Sequence, residues 1–191
     1  MMDCIDAILN RRSCRSFLSK AVEDEKIQKI LTCAIYAPSP ANKQPWEFIV
    51  VTNPDYNHRL LEEAEKSKVY MAERSGWKWL PAFRIDFLTQ APVLIVVVGD
   101  PTKNGAEQFK DEPTKGYINA CSAAMQNICL AAYSLGLGTL WYSLFEKRSA
   151  REIFGIPESK DPVGVICMGY PAQTPTAPKR TGLDEKVRYI R

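Results

Sequence analysis

Hydrogen-bond donors are concentrated near the N-terminus of the 191-residue chain, where Arg11, Arg12, Ser13 and Arg15 fall within five residues. A guanidinium group stays charged at physiological pH and binds phosphate oxygens in pairs, so this run could supply a fork of donors to a phosphate. Lys179 and Arg180 could close the same site from the far end of the chain. A solvated basic turn is the alternative interpretation of the run on its own.

A second group of polar side chains lies in the stretch 37–46, which contains three prolines, at positions 38, 40 and 45. Proline disrupts both a helix and a sheet ladder, so we expect a stiff loop here. Ser39, Asn42, Lys43 and Gln44 place hydroxyl, amide and amino groups on that loop. Rigid loops often carry binding sites, although a simple helix-to-strand connection would have similar composition.

Residues for acid–base, nucleophilic or metal chemistry are scarce. The six cysteines include no C-x-x-C pair, so a zinc site or an iron–sulfur cluster is not expected. The single histidine, His58, lies in a charged segment, which argues against a nucleophile–histidine pair. Gly136-x-Gly138 runs into a strand pattern rather than a helix, so it is not a dinucleotide fingerprint. This profile favours a protein that positions a bound cofactor, which itself supplies the chemistry.

Composition is that of an ordinary globular chain, with 46% hydrophobic residues, 25% charged residues and a net charge of +3. So small a charge gives no reason to expect nucleic acid or an anionic membrane as a partner. Scattered cysteines in apolar runs suit a reducing cytosol, and the segment Met1–Asp6 lacks the basic start of a signal peptide. We expect a single cytoplasmic domain over residues 1–191.

Hydrophobic periodicity predicts a mixture of amphipathic helices and short apolar strands. The β-branched run 93–99 predicts a strand buried on both faces. The alanine-rich segment 117–135 predicts a helix buried in a core or a subunit interface, since its amide side chains argue against a membrane span. The predicted elements are helices at 3–10, 23–36, 55–67, 117–135 and 149–154, strands at 46–52, 93–99, 139–143 and 163–169, and a loop at 100–113.

Two segments resist assignment. Residues 69–83 mix aromatic and charged side chains around a Gly-Trp break. This pattern fits either a helix pair with an aromatic packing face or an aromatic lid over a planar ligand, with Trp77 and Trp79 as the lid residues. The proline-rich tail from Pro171 onward carries little core-like pattern, so we expect it either to fray or to cross to a second subunit.

Two motifs in this order are specific when taken together: Arg11-Arg12-Ser13-x-Arg15-x-Phe17 and Ala37-Pro38-Ser39-x-x-Asn42-x-Gln44-Pro45-Trp46-x-Phe48. Gly136-Leu137-Gly138-Thr139 and Gly169-Tyr170-Pro171 follow downstream. With these residues the chain resembles the flavin-dependent nitroreductase family over nearly its whole length. The resemblance implies an α+β fold, a three-layer sandwich whose mostly antiparallel sheet is flanked by helices.

The resemblance further implies a homodimer with two FMN sites at the subunit interface. A C-terminal extension would embrace the partner, and the helix 117–135 would form the dimer core. The FMN phosphate would be held by Arg11, Ser13 and either Lys179 or Arg180, with Arg12 beside them. Arg15 would lie at the N1/O2 edge of the flavin.

Other positions implied to contact the flavin ring come from two places in the chain. Pro38, Ser39 and Asn42 would reach it from the other subunit. Trp141, Tyr142, Ser143 and Leu144 would line the isoalloxazine, with a backbone N–H facing N5. No side chain is assigned a catalytic role, because the reactive centre would be flavin N5, with Arg15 stabilising the negative charge that a reduced flavin carries near N1.

The implied activity is transfer of reducing equivalents from NAD(P)H through FMN to a nitro, quinone or similar electron-poor acceptor, by a ping-pong mechanism. Ser143 and Leu144 stand where family enzymes often have an acidic residue and a glycine, and Leu144 would narrow the pocket for large nitroaromatics. Three alternatives stay open: a specialised flavin reaction such as reductive dehalogenation, a slow-turnover redox sensor, and a phosphate- or nucleotide-binding regulator without flavin.

Overall fold

The computed structural model describes residues 3–111 and 115–191. The end of the predicted loop 100–113 and the first two methionines lie outside these residues. The helices are α1 Cys4–Asn10, α2 Asp24–Ile35, α3 Pro54–Ser75, α4 Phe87–Gln90, α5 Gly116–Ser134 and α6 Lys147–Phe154. The strands are β1 Trp46–Val51, β2 Val93–Gly99, β3 Gly138–Tyr142 and β4 Asp161–Gly169, and short 3₁₀ turns occupy Pro40–Asn42, Gly105–Phe109 and Leu183–Glu185.

The four strands form one antiparallel sheet in the order β1-β2-β4-β3. Trp46 of β1 pairs with Gly99 of β2, and Gly138 of β3 pairs with Gly169 of β4. Strand β2 is buried along its whole length, as its β-branched run predicts. Because β1 and β3 are the first and last strands in this order, they form the two opposite edges of the sheet.

Helices cover both faces of the sheet, and alternate residues of β2 belong to different cores. Ile95 and Val97 pack with residues of α2 and α5, whereas Leu94 and Val96 pack with residues of α3, α4 and α6. This alternation follows from the two-residue period of side chains along a strand. The predicted α+β three-layer sandwich is confirmed.

Helix α3 continues eight residues beyond its predicted end at position 67. Asn53 caps its first turn by accepting from the backbone N–H of Asp55, and the helix ends at Gly76, which adopts a left-handed conformation. After Pro54, which is tolerated in the first turn, no glycine or proline occurs before Gly76, so the helix continues into the segment that the sequence left unassigned. Only one helix and a series of turns occupy residues 69–83, so a helix pair is wrong, and α4 was not predicted.

The cysteines behave as packing residues. Cys121, Cys129 and Cys167 are buried and unbridged, while Cys33 is partly exposed. Burial raises the pKa of Cys121 to about 12, so its thiol stays protonated at neutral pH. His58 is exposed on α3. Among the described residues no cluster of His, Cys, Asp or Glu could hold a metal ion, and no helix is long and apolar enough to cross a membrane.

Candidate functional site

The N-terminal basic run is fastened along the edge strand β3. Ser13 forms a parallel bridge with Thr139, and the backbone N–H of Cys14 donates to the Thr139 carbonyl over 2.8 Å. Farther along, Phe17 pairs with Pro171. These backbone contacts place the polar side chains of residues 11–15 at one edge of the sheet.

A pocket of about 360 Å³ opens between this run and the C-terminal tail. Its lining residues are Arg11, Arg12, Ser13, Arg15, Thr176, Pro178 and Arg180. The chain thus brings Arg180 to the basic run from 165 residues away, while the neighbouring Lys179 is exposed and does not line the pocket. Three guanidinium groups beside Arg180 make the pocket strongly positive, which suits an anion.

Arg11 and Arg12 differ in how far the chain itself occupies them. Arg12 donates from Nη1 to the carbonyls of Leu9 and Arg11, at 2.7 and 2.8 Å, and so satisfies the C-terminal end of α1. The Nε atoms of both arginines are buried and have no hydrogen-bond partner among the described residues. A buried, unpaired charged donor is costly, so this pocket fits an anion that accepts from it.

The proline-rich segment 37–45 forms the stiff loop that its sequence predicts, but it is strained. Its backbone folds through the 3₁₀ turn Pro40–Asn42, and Ser39 Oγ accepts from the backbone N–H of Gln44 over 3.1 Å. Ala41, Asn42 and Gln44 have φ angles of 49°, 52° and 45°, and within the described ranges they are the only non-glycine residues with positive φ. Such conformations cost roughly 1–3 kcal/mol each and persist where the surroundings enforce them.

The proline loop is separated from the basic pocket within one chain. It leads into β1, whereas the basic run lies along β3, at the opposite edge of the sheet. Three inter-strand steps of about 4.8 Å lie between these edges. None of the pocket's lining residues comes from the loop. A single protomer therefore does not bring Pro38, Ser39 and Asn42 to the basic pocket.

The end of β3 presents the four positions expected to line the flavin ring. Trp141 is partly exposed, and its indole lies over Gly164, where an added Cβ would come within 3.0 Å of Nε1. Tyr142 is buried and donates its hydroxyl hydrogen to the carbonyl of Leu144, on the far side of the exposed Ser143. Burial also raises the pKa of Tyr142, so its hydroxyl remains a donor at neutral pH.

A column of aromatic rings joins the end of β3 to the surface. Tyr142 contacts Phe87, Phe87 contacts Phe83, and Phe83 contacts Trp79, with ring centroids 5.9, 6.3 and 5.8 Å apart. Trp77 stacks on Trp79 at 5.5 Å with an interplanar angle of 23°. The two half-exposed indoles therefore form one stacked aromatic surface, the indole shelf of Trp77 and Trp79, and do not face each other across a gap.

Backbone and side-chain contacts fix this indole shelf in place. Leu80 is fully buried, and its backbone N–H donates to the Trp77 carbonyl over 3.1 Å. Lys68 of α3 donates to the carbonyl of Phe83 over 3.3 Å. The segment that carries Trp77 and Trp79 is therefore held against α3 by these contacts.

Sequence reasoning missed a group of charged residues below the proline loop, among which Asp100 is buried, Lys160 is partly buried and Glu47 is exposed. Asp100 accepts from Lys160 at 2.8 Å and from the hydroxyl of Thr102 at 2.6 Å, and these bonds lower its pKa to about 2. Lys160 also pairs with Glu47 at 2.9 Å. The partners are up to 113 positions apart in the chain, and only the turn-forming Gly99-Asp100-Pro101 gave a local signal.

Comparison with known proteins identifies the family. The Nitroreductase family model matches residues 8–170. A Methanothermobacter thermautotrophicus protein, provisionally named an NADH dehydrogenase/NAD(P)H nitroreductase, is 36% identical over 178 residues, covering 91% of this chain and 80% of its own. Iodotyrosine deiodinase of Haliscomenobacter hydrossis is 30% identical over 181 residues, covering 88% and 79% respectively.

The fold is shared with a solved flavoprotein structure. The crystal structure of an oxidised iodotyrosine deiodinase bound to FMN and 3-iodo-L-tyrosine superposes with a TM-score of 0.82 and 23% identity, and the match covers 99% of this chain and 100% of that one. The family match and the relatives agree with the motifs around Arg11–Phe17 and Ala37–Phe48. The chain belongs to the nitroreductase family.

Proposed function

We propose that this protein is an FMN-dependent oxidoreductase that carries reducing equivalents from NAD(P)H to an electron-poor small molecule, in a single cytoplasmic domain. The observation that carries the proposal is the basic pocket at the edge of the sheet, where two buried guanidinium Nε atoms lack a partner in the described chain. Relatives named as NAD(P)H nitroreductases support the reductant, and the FMN-bound relative of the same fold supports the cofactor.

The basic pocket would hold the phosphate of FMN. Arg11 would supply its guanidinium, whose Nε has no partner in the described part of the chain, Ser13 would supply a hydroxyl, and Arg180 a charge from the tail. Arg12 would contribute its charge and Nε while its Nη1 stays bonded to α1. Lys179 is exposed and would act through its longer-range charge at most. These donors suit a dianionic phosphate better than a neutral ligand.

Bound FMN would supply hydride chemistry at N5, in two half-reactions of a ping-pong cycle with NAD(P)H and then the acceptor. Arg15, at the rim of the basic pocket, would lie at the N1/O2 edge and stabilise negative charge there. The segment from Tyr142 to Leu144, held by the bond between the Tyr142 hydroxyl and the Leu144 carbonyl, would present a backbone N–H toward N5. Trp141 would lie along the ring. In this arrangement the side chains orient the cofactor and adjust its charge.

The site would be completed by a second copy of the chain. Ser39 and Asn42 of the proline loop lie at the opposite edge of the sheet from the basic pocket. The loop and the pocket can therefore contact one flavin only if they belong to different protomers. Apolar side chains are exposed on α1 and along the tail, as a dimer interface requires. They are Ile5, Ile8, Leu9, Leu183, Val187, Tyr189 and Ile190. Dilution to monomer should release FMN, and a monomer that retains FMN tightly would contradict the shared site.

The indole shelf would receive the acceptor. Trp77 and Trp79 present flat, half-exposed faces at the end of the aromatic column that reaches Tyr142. Electron-poor rings stack well on indole, so nitro and quinone compounds are the proposed acceptors. The bulk of Leu144 next to the flavin would favour small ones over large nitroaromatics.

Reductive dehalogenation is the second candidate, because a relative named iodotyrosine deiodinase is 30% identical to this chain over 181 residues. Under anaerobic conditions with a reductant, release of halide from a haloaromatic but no consumption of nitro or quinone acceptors would favour it. Binding of flavin with negligible turnover of every acceptor would favour a redox sensor.

The experiment that tests the cofactor is titration of flavin-free protein with FMN, followed by quenching of flavin fluorescence. We expect saturable uptake at one FMN per protomer. No uptake of FMN, together with binding of another phosphorylated ligand, would replace this proposal with that of a flavin-free phosphate-binding regulator.

A further inference from the structure

We propose that Asp100 and Lys160 are positioning residues for the proline loop 37–45, and that through this loop they set the affinity of the protein for the flavin ring. The inference rests on the proposed function, because it assumes that the loop contacts an isoalloxazine. It assigns a purpose to a partly buried ion pair that lies outside the basic pocket and outside the indole shelf.

The loop needs support from outside itself. Ala41, Asn42 and Gln44 all occupy the left-handed region, which L side chains rarely adopt. Within the loop, Ser39 and Gln44 share one side-chain hydrogen bond, and the backbone of Asn42 and Lys43 closes the turn. Because the residues with positive φ are exposed, packing of their own side chains holds them little. The geometry must therefore be imposed where the loop is attached.

One attachment point is the bond between Pro45 and Asp100. The backbone N–H of Asp100 donates to the carbonyl of Pro45 over 2.8 Å. Pro45 directly precedes Trp46, the first residue of β1. The carboxylate of Asp100 is in turn fixed by Lys160 at 2.8 Å and by the backbone N–H and hydroxyl of Thr102 at 2.9 and 2.6 Å. Three hydrogen bonds, one from Lys160 and two from Thr102, hold the Asp100 side chain and thereby restrict the orientation of its backbone N–H.

Lys160 extends this attachment across the sheet. Its ammonium group lies between Asp100, which follows β2, and Glu47 of β1, at 2.8 and 2.9 Å. Lys160 itself directly precedes β4. One cation thus joins three neighbouring strands at the end of the sheet from which the loop emerges. The Asp100 carboxylate is nearly buried, so loss of Lys160 would leave a poorly solvated charge at the base of the loop.

The segment that follows Asp100 supports the other end of the loop. At Gly105 an added Cβ would come within 2.5 Å of Pro40 Cβ, and at Gly116 within 3.2 Å of Pro40 Cγ. Pro40 therefore rests on backbone, with no room for a side chain between the two. A change in the turn that begins at Asp100 would move both supports of the loop together.

Two flavins separate an effect on the loop from an effect on the basic pocket. Riboflavin has the same ring as FMN but no phosphate, so loop contacts would affect both ligands and basic-pocket contacts would affect FMN alone. For Asp100→Asn and Lys160→Met we expect the dissociation constants of both flavins to rise at least tenfold, and by the same factor for FMN and riboflavin. The titrations are made well below the melting temperature of each variant. Thr102→Val, which removes one donor to Asp100, should give a smaller loss of the same kind and serves if the first variants do not fold.

Asp161→Asn is the matched control. Asp161 is buried like Asp100 and pairs with Lys147 at 2.6 Å. Its side-chain partners lie on α5 and α6, whereas Asp100 bonds to the loop directly through its backbone N–H. We expect it to lower the melting temperature by a similar amount with flavin affinity changed less than threefold. Equal loss of flavin binding in both aspartate variants, or unchanged affinity in Asp100→Asn, would overturn the inference.

Hydrogen exchange tests the same inference without flavin. In Asp100→Asn and Lys160→Met the backbone amides of Gln44 and Lys43 should exchange at least tenfold faster than in the wild type and in Asp161→Asn. Unchanged exchange would overturn the support role even if flavin affinity fell. If the wild-type protein binds neither flavin, the proposed function fails, while faster exchange would still establish that this ion pair supports the loop.

Discussion

Ser13 bridges to Thr139, and this single pairing brings the N-terminal basic run to the edge strand that carries Trp141 and Tyr142. Residues 126 positions apart in the chain thereby form one surface. The phosphate-binding and ring-facing parts of the proposed cofactor site are adjacent because of it. The proline loop is not part of that surface, which is why the proposed site needs a second protomer.

Replacing Arg11 should weaken the binding of FMN, which carries a phosphate, without weakening the binding of riboflavin, which does not. In Arg11→Met the apolar stem remains, but the guanidinium, whose buried Nε has no partner among the described residues, is lost. A hydrogen bond to a charged group contributes about 1.5–3 kcal/mol, so we expect FMN to bind roughly 10- to 100-fold more weakly. Fluorescence titration with FMN and riboflavin measures this. Riboflavin affinity should stay constant, and an equal loss for both ligands would place Arg11 elsewhere.

Replacing Arg15 should affect reduction more than binding. Arg15→Leu removes the cation proposed to lie at N1/O2, while the other arginines remain to hold the phosphate. We expect the variant to keep some bound FMN and to be reduced by NAD(P)H at least tenfold more slowly, or about 1.4 kcal/mol of barrier. Anaerobic stopped-flow absorbance measures the rate at saturating nicotinamide. Unchanged reduction kinetics would refute the role of Arg15.

The strain of the proline loop predicts a stabilising glycine. Ala41 has a φ of 49°, where glycine avoids the Cβ penalty, so Ala41→Gly should raise the free energy of unfolding by about 0.5–1 kcal/mol. Ala72→Gly, within α3, is the opposite control and should lower it by about 1 kcal/mol. Denaturant titration of both variants decides the point. Destabilisation by both would mean that Ala41 is not strained.

Asp100 predicts loss of stability in acid. Hydrogen bonds from Lys160 and Thr102 lower its pKa to about 2, whereas a carboxyl in the unfolded chain titrates near 3.9. The unfolded state therefore takes up the proton first, so this contribution is complete above about pH 4 and disappears as the pH falls through about 2.

The measurement is the unfolding free energy of wild type and Asp100→Asn across this pH range. The two should differ by on the order of 1 kcal/mol at pH 7 and converge as the pH falls toward 2. Glu152→Gln changes an exposed pair with Arg148 and should show little difference at either pH. A constant gap between wild type and Asp100→Asn down to pH 2 would contradict the assignment.

Local patterns were sufficient for much of the fold. The apolar run of β2 and the alanine-rich run of α5 were predicted because burial on both faces leaves an unmistakable composition. The stiffness of the loop at Pro38–Pro45 followed from proline geometry. The full length of α3 did not follow, because its second half mixes aromatic and charged residues with no clear stripe.

Tertiary contacts account for what the sequence left out. The partly buried pair of Asp100 and Lys160 joins residues that neither periodicity nor a motif relates, and the left-handed φ of Ala41 is unusual for its residue type. Arg180 could be proposed for the basic pocket, but only folding of the tail distinguishes it from Lys179. The aromatic column likewise joins Tyr142 of β3 to the segment 77–87.

Anaerobic mixing of the FMN-loaded protein with NADH or NADPH tests the central claim most directly. The flavin absorbance band should bleach with one nicotinamide consumed per FMN, and should return when a nitro or quinone acceptor is added after the oxidised nicotinamide has left. A flavin that binds but is reduced by neither nicotinamide, or one that is reduced and then reoxidised by no acceptor, would contradict it.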